Sequence, residues 1–369
     1  MDMKIAAGIQ PNEAHLHAAA LEEVAPAIGN ALPVPLRPNP AGVSKQTAAR
    51  SPGLLRTRPQ TLLLVPVAAI IGLGVLFFAP GNGVPPTTYF YPAFLCIMLA
   101  LGLGAALGQM FSPGLRDWMR RMCPILGVAV LTTVIWQVVT NSLRWLPLPY
   151  FPGPEAVMEA LASDRALIFD STWHSLALLL SGYAIGTTLA LITGVTIGWF
   201  PHARYWGMPL LKLVGPIPAT AWIPLAMVVA PSAMFSAVGL VALAVWFPVT
   251  MLTASGISNT RASYLDVART LGAGRAYLIF RVAIPAALPN IFIGLFMGLG
   301  TSFLTLVVAE TVGVKSGLGW YVAWAQGWAE YGKVYGALII MAAFFSTIMT
   351  VLFRVRDRVL VWRKGVIKW

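Results

Sequence analysis

An all-α protein that crosses a membrane several times is the architecture this sequence predicts, and three observations predict it. Only 10% of the 369 residues are charged and 58% are hydrophobic, whereas a soluble domain carries about 25% charged residues. Eight apolar runs approach or reach the roughly 20 residues that a bilayer core requires, and mean hydropathy is +0.76. The 25 Lys and Arg residues lie in the segments between alternate runs. If both termini are cytosolic, only Arg144, Arg165, Lys315 and Lys333 fall on the far side, as the positive-inside rule demands. The net charge of +12 is thus an orientation signal, and no nucleic-acid partner is expected.

Residues 1–59 are rich in Pro and Ala, as in ALPVPLRPNP. That composition cannot bury a core and predicts a flexible cytosolic tail, with one short helix around Glu13 to Val24. It lacks the order of a signal peptide. His15 and His17 have no further ligand nearby, so they do not make a metal site. Residues 60–115 form a hairpin: a run from Thr61 to Ala79, the uncharged turn PGNGVPPTT, and a run from Tyr89 to Phe111. Cys96 and Cys123 lie in or beside apolar runs and read as small packing residues.

From residue 116 to 369 the chain predicts six further spans. After the basic RDWMRR comes the third run, Met122 to Asn141. The polar segment 142–171 reads as a turn and a short amphipathic helix in FPGPEAVMEALASDRAL. The fourth run, Thr172 to Phe200, places Gly182, Gly186, Ala190, Gly194 and Gly198 four residues apart, a smooth face for close helix packing. A short basic turn with His202, Arg204 and Lys212 leads to the fifth run, Leu213 to Pro231. Pro216, Pro218 and Pro224 forbid a regular helix there, and irregular backbone at membrane depth survives only inside protein or beside a cavity. The sixth run is Ser236 to Ile257, with Pro248 expected to kink it. The seventh is Ile291 to Gly313, and the eighth Val334 to Leu352.

Between the sixth and seventh runs lies a polar, basic loop, 258–290. Leu265, Ala268 and Leu271 fall at i, i+3 and i+6, one face of a short helix. Gly272 supplies a residue free to take φ > 0, so that helix can stop and turn. Arg269, Arg275 and Arg281 make the loop positive. A second amphipathic segment is expected to end at Ile284-Pro285.

This loop resembles the EAA loop of type I ABC-importer permeases: Glu-Ala-Ala, three residues, Gly, nine residues, then Ile-x-Leu-Pro. Here the matching residues are Asp266-Val267-Ala268, Gly272 and Val282-Ala283-Ile284-Pro285, with the spacing kept and Asp in place of Glu. FPGPEAV, GPIPATAWIPLA, VVAETVG and SGLGW extend the resemblance to the nitrate/sulfonate/taurine/bicarbonate group, over residues from about 120 to 363. The resemblance implies a six-helix permease core, to which residues 60–115 add two extra N-terminal transmembrane helices, in a bacterial inner membrane. It further implies a permease dimer, two ATPase subunits that hold ATP and Mg, and an extracytoplasmic substrate-binding protein. Leu265, Asp266, Ala268, Arg269, Leu271, Gly272 and Pro285 would then couple the permease to the ATPase, with the apolar face of the short helix in a groove of that partner.

No catalytic constellation competes with this reading. Gly327 to Val334 fits G-x-x-x-x-G-K, but Val334 stands where a P-loop needs Ser or Thr. The chain is therefore expected to be no enzyme and to bind no cofactor itself. Glu310 is a carboxylate inside a predicted span, a functional candidate by default. Its position near the outer end, within reach of water, favours a structural or gating role over contact with solute. Thr220, Trp222, Thr301, Ser302 and Thr305 bring polarity to spans five and seven and are the candidates for lining a pathway; helix–helix hydrogen bonding is the alternative for each. No Lys or Arg lies mid-span, so a small anion, as the group implies, would be held weakly and selected mainly by the binding protein. A secondary transporter would need an ion-coupling site beyond Glu310. A membrane scaffold would need no proline-broken span.

Overall fold

The computed structural model describes residues 63–78, 89–108, 113–143 and 145–363, all within the compact unit Thr57–Trp369. The expectations for the tail 1–59, the turn 80–88 and Arg144 lie outside them. Among the described residues the regular structure is entirely helical.

The first three helices are α1 (Leu64–Phe78), α2 (Phe90–Gly108) and α3 (Pro113–Gln137). A π-helical turn, Val138–Ser142, extends α3. The 15 described residues of α1 span about 22 Å, less than the roughly 30 Å hydrocarbon core. This hairpin packs on α3 through Ala68, Tyr91, Leu95, Val130 and Val134, and Met158 of the next helix joins the same cluster. That next helix, α4 (Pro154–Ser163), is the short one expected between the third and fourth runs; Pro154 opens it at the first helical position, where its missing N–H costs nothing.

The fourth run extends further back than its apolar residues do. Helix α5 runs Arg165–Trp199, 35 residues, because Ile168 and Ser171 are already buried in the protein. Its glycine ladder meets α8 (Ala233–Ser258). A Cβ at Gly182 would lie 2.6 Å from Val241 Cγ1, and at Gly194 or Gly198 2.7 Å from Thr253 Cβ or Ile257 Cβ. The missing side chains thus allow the two backbones to approach.

The expected basic turn at His202, Arg204 and Lys212 is instead a helix, α6 (Pro201–Val214). Pro201 starts it, and Leu211 is buried with Ile197 and Ala254 in one cluster that Met208 joins. Arg204 donates to the carbonyls of Ile197 (3.3 Å) and Gly198 (2.5 Å), satisfying the last turn of α5. The chain then breaks. A 3-10 turn, Ala219–Trp222, leads into α7 (Ile223–Val229), and the two halves of this span meet at 83°. Pro216 and Pro218 lie at the break, as the sequence predicts, while Pro224 opens α7.

Beyond α8 come α9 (Ala262–Thr270), a continuous helix α10 (Arg275–Val312), α11 (Leu318–Gly327) and α12 (Tyr331–Val359). The second segment of the loop therefore does not end at Ile284-Pro285. Leu278–Ala283 widens into a π-helix, which makes room for the ring of Pro285; Pro289 lies within the α-helix beyond it. Among the described residues six helices are long and apolar enough to cross a membrane, or seven with the bent pair. The protein is a multi-pass helical membrane protein.

Candidate functional site

At one end of the helices, α9 stands between α8 and α10. Leu271 N–H bonds Val267 O, Gly272 N–H bonds Arg269 O (2.9 Å), and Ala273 N–H bonds Ala268 O (3.0 Å). This is a Schellman closure, which requires a left-handed residue after the helix; Gly272 has φ +82°. Asp266 is already paired within its own helix, accepting from Arg269 at 2.9 Å. Pro285 lies in the continuous helix α10 and not at its end.

The face of α9 differs from expectation. Leu265 and Ala268 are half-buried, and Ala268 lines the cleft beside this helix. The free apolar surface is Tyr264, Val267 and Leu271, exposed by 52%, 61% and 82%. These fall at i, i+3 and i+7, an equally good helical face. Two apolar stripes fit one short helix, and tertiary neighbours choose between them. A cleft of about 560 Å³ lies beside this face, between α9 and the start of α10, with Val267, Leu271, Gly274, Tyr277 and Arg281 in its wall.

At the opposite end, Glu310 is 1% exposed, so the expectation that water reaches it is overturned. Its Oε1 accepts from Ser175 Oγ at 2.7 Å, and its Oε2 from Gly319 N–H at 2.8 Å. Ser175 Oγ in turn accepts from Leu318 N–H at 2.8 Å. The carboxylate therefore closes the N-terminus of α11, where unpaired N–H groups and the helix dipole favour negative charge. Gly317 has φ +106°, and a Cβ there would collide with the Glu310 carboxylate. Three elements, α5, α10 and α11, meet at this one side chain. Ser175 has no signal in the sequence: it is one hydroxyl on a long helix, 135 residues from its partner.

A second polar cluster was also unforeseen. Asp164, at the α4–α5 junction, accepts from Tyr321 OH at 2.9 Å and pairs with Lys333 Nζ at 3.1 Å; Lys333 also pairs with Glu330 at 2.8 Å. Burial first, and then the adjacent Asp164 carboxylate, hold the Tyr321 hydroxyl above its ordinary pKa, so it stays a donor. This cluster contains the Lys of the G-x-x-x-x-G-K stretch, which here forms the turn between α11 and α12 and not a phosphate loop.

Of the mid-span candidates, Thr301 Oγ1 donates to Ala244 O of α8 at 2.9 Å, a helix–helix bond. Ser302 and Thr305 are buried and bond carbonyls of their own helix, Leu299 O and Thr301 O. Thr220 and Trp222 are half-buried on the 3-10 turn of the broken span. The indole nitrogen of Trp222 is fully enclosed and has no acceptor, a state that costs about 1–3 kcal/mol. Trp222 also lines a cavity between α7 and α8. Among the described residues no three His, Cys, Asp or Glu side chains gather as metal ligands would.

Residues 186–360 match the family described as binding-protein-dependent transport system inner membrane component. Over 170 residues the chain is 31% identical to a probable ABC transporter permease protein of Haemophilus influenzae, covering 46% of this chain and 69% of that protein. It is 31% identical over 171 residues to the taurine transport system permease protein TauC of Escherichia coli, covering 44% and 62%. With the bicarbonate transport system permease protein CmpB of Synechococcus elongatus it shares 25% identity over 196 residues, covering 48% and 69%.

Proposed function

This chain belongs to the inner-membrane permeases of binding-protein-dependent ABC importers, within the nitrate/sulfonate/taurine/bicarbonate group, and from that premise we propose that it passes a small anionic solute across the inner membrane. The observation that carries the reading is α9: a two-turn helix between two spans, closed by Gly272 in the left-handed region, with an unpartnered apolar face. An amphipathic helix of this kind seats in a groove of a partner. We assign that partner as a cytosolic ATPase, present twice, and assign Tyr264, Val267 and Leu271 as the inserted residues. Leu265 and Ala268 set the angle of the helix from behind. Asp266 and Arg269 flank it, Gly272 ends it, and Pro285 lies ten residues into the helix that carries its motion into the membrane.

In this reading both termini are cytosolic, two copies of the chain form the pathway, and a binding protein delivers the solute at the α11 side. ATP and Mg are held by the ATPase and not by this chain. ATP-driven closure of the two ATPases draws the two α9 helices together and turns the cavity outward. Residues 60–115 form a peripheral hairpin beside the core 116–369. Glu310 is a structural or gating residue, since both its oxygens are occupied by protein donors; a secondary transporter would need such a carboxylate free for an ion. Thr220 and Trp222, on the broken span, are the residues we assign to the pathway. Thr301 bonds across to α8, and Ser302 and Thr305 are buried with their hydroxyls on carbonyls of their own helix.

The test is co-purification with the cognate ATPase from the same transporter. Val267→Asp and Leu271→Asp should each abolish it while the permease still inserts, whereas Leu265→Ala should weaken it less. Full retention of the ATPase by both aspartate variants would remove α9 as the docking element.

A further inference from the structure

The cleft beside α9 carries a charge that its apolar walls do not answer. It encloses about 560 Å³ between α9 and the start of α10, a volume within the range of binding clefts. Tyr264, Val267, Leu271 and Tyr277 stand in its wall, and Arg281 is the one charged side chain among its lining residues. The loop 258–290 sets four arginines against a single acid, Asp266, and that acid is taken by Arg269 at 2.9 Å. Among the described residues Arg281 has neither an ion-pair nor a hydrogen-bond partner, and Arg261 lies over the ring of Tyr264 at 6.0 Å from its centroid. The cleft is therefore apolar at its sides and positive at one wall, with no counter-charge among the described residues.

We propose that docking at this end is reciprocal: while α9 enters the ATPase, the cleft receives an acidic side chain of that ATPase, an Asp or Glu with apolar neighbours, which pairs with Arg281. This rests on the permease reading and on the docking of α9 given above, and it names the chemistry that the partner must bring. Val267 and Leu271 belong both to the outward face of α9 and to the wall of the cleft, so a partner that covers the face also covers the cleft. A guanidinium covered without an acid loses hydration and gains nothing in return. A carboxylate removes that penalty. The guanidinium presents a planar fork of donors that matches two carboxylate oxygens, and apolar walls strengthen the pair by lowering the local dielectric. The phosphate of an anionic lipid has the charge but lies at the wrong depth. Helix α10 is 38 residues long, about 57 Å, against about 45 Å for a bilayer with its headgroups. The overrun falls at the end that carries Arg275 and Arg281.

The test uses the permease with its cognate ATPase in lipid nanodiscs. Arg281→Glu should weaken ATPase binding about 10-fold or more. Arg281→Lys keeps the charge and supplies an amine, so a water-soluble carbodiimide should join position 281 to one Asp or Glu of the ATPase, which mass spectrometry then identifies. Replacing that acid by Arg should weaken binding to the wild-type permease and restore binding to Arg281→Glu, a rescue that a merely structural role for Arg281 does not allow. Binding by Arg281→Glu within about 2-fold of wild type, no cross-link to an ATPase acid, or no restoration by the reversed pair would each overturn the socket. Where Arg281→Glu fails to insert, the cross-link decides by its presence or absence. Binding is also compared in discs of phosphatidylcholine alone and in discs containing phosphatidylglycerol. A defect of Arg281→Glu that appears only with the anionic lipid assigns the arginine to headgroups and overturns the socket, whereas the same defect in both supports it. Leu271→Asp separates the two levels. Wild-type binding by both Leu271→Asp and Arg281→Glu sinks the docking of α9, whereas loss in Leu271→Asp alone leaves the docking and sinks only the socket.

Discussion

Replacing Ser175 by alanine removes one oxygen that serves two partners. Its hydroxyl donates to Glu310 at 2.7 Å and accepts from the Leu318 N–H at 2.8 Å, and Ser175 and Glu310 are each 1% exposed. Loss of the acceptor strands a buried N–H, at about 1–3 kcal/mol, and loss of the donor removes a bond to a carboxylate, at about 1.5–3 kcal/mol. The two losses share one site and are not additive. A net of about 2–4 kcal/mol is expected for the attachment of α11 to α5 and α10. At a factor of ten for every 1.4 kcal/mol, local opening becomes roughly 30- to 700-fold more frequent. Hydrogen–deuterium exchange over residues 314–320 reads this directly, because local opening sets the exchange of protected amides. Ser175→Thr, which keeps the hydroxyl, should stay near wild type. Exchange within 3-fold of wild type in Ser175→Ala would refute the claim that this hydroxyl holds the helix end. Glu310→Gln should likewise loosen the segment and change transport rate, while leaving the order of solute preference as it was; a reordered preference with the same binding protein would place Glu310 in contact with cargo.

Two further outcomes follow from geometry. Gly272→Val forces a branched side chain into φ +82°, at a cost of roughly 1 kcal/mol or more, and should abolish transport and its stimulation of ATP hydrolysis while basal hydrolysis and membrane insertion persist. Gly274→Ala, at φ −71° with open space around the new Cβ, should be silent in the same assay, so equal damage from both would mean that the loop tolerates no change and not that Gly272 is a conformational stop. Deletion of residues 1–115 should leave a dimer that still retains the ATPase, because the face it uncovers on α3 (Val130, Val134) is apolar and lipid can cover it without a hydrophobic penalty; joint loss of dimer and ATPase would show that the hairpin holds the core together.

The features legible in the sequence are those in which one residue type carries its own physics. Pro216 and Pro218 cannot sit within a regular helix, and the chain bends by 83° where they lie. Gly272 was marked by following a short helix, and it closes that helix. The glycines from Gly182 to Gly198 announced a close contact, though not with which helix. What the sequence concealed depends on distant partners. Helix α6 looked like a turn because Gly207 and Pro209 interrupt it and its charges stand out; burial of Leu211 against α5 and α8 outweighs their low helix propensity. The stripe of α9 that faces outward is chosen by the body behind Leu265 and Ala268. Ser175, Asp164 and Tyr321 matter only through residues more than 130 positions away.

The glycine-stepped contact of α5 with α8 has a mechanical consequence. Side chains of Val241, Val245, Thr253 and Ile257 sit against the notches at Gly182, Gly186, Gly194 and Gly198, which step about one helical turn at a time, so axial sliding by less than a full turn drives them into backbone. The two helices therefore translate and tilt as a single beam. On the docking reading proposed for α9, a pull on that helix would not be dissipated by shear along this seam. The break at Gly215 to Pro218, between the two arms of the bent span, lies outside that beam and gives the chain a place to bend. On the permease reading, the stroke would then be a change in one elbow angle, with the cavity beside Trp222 on one of its two arms.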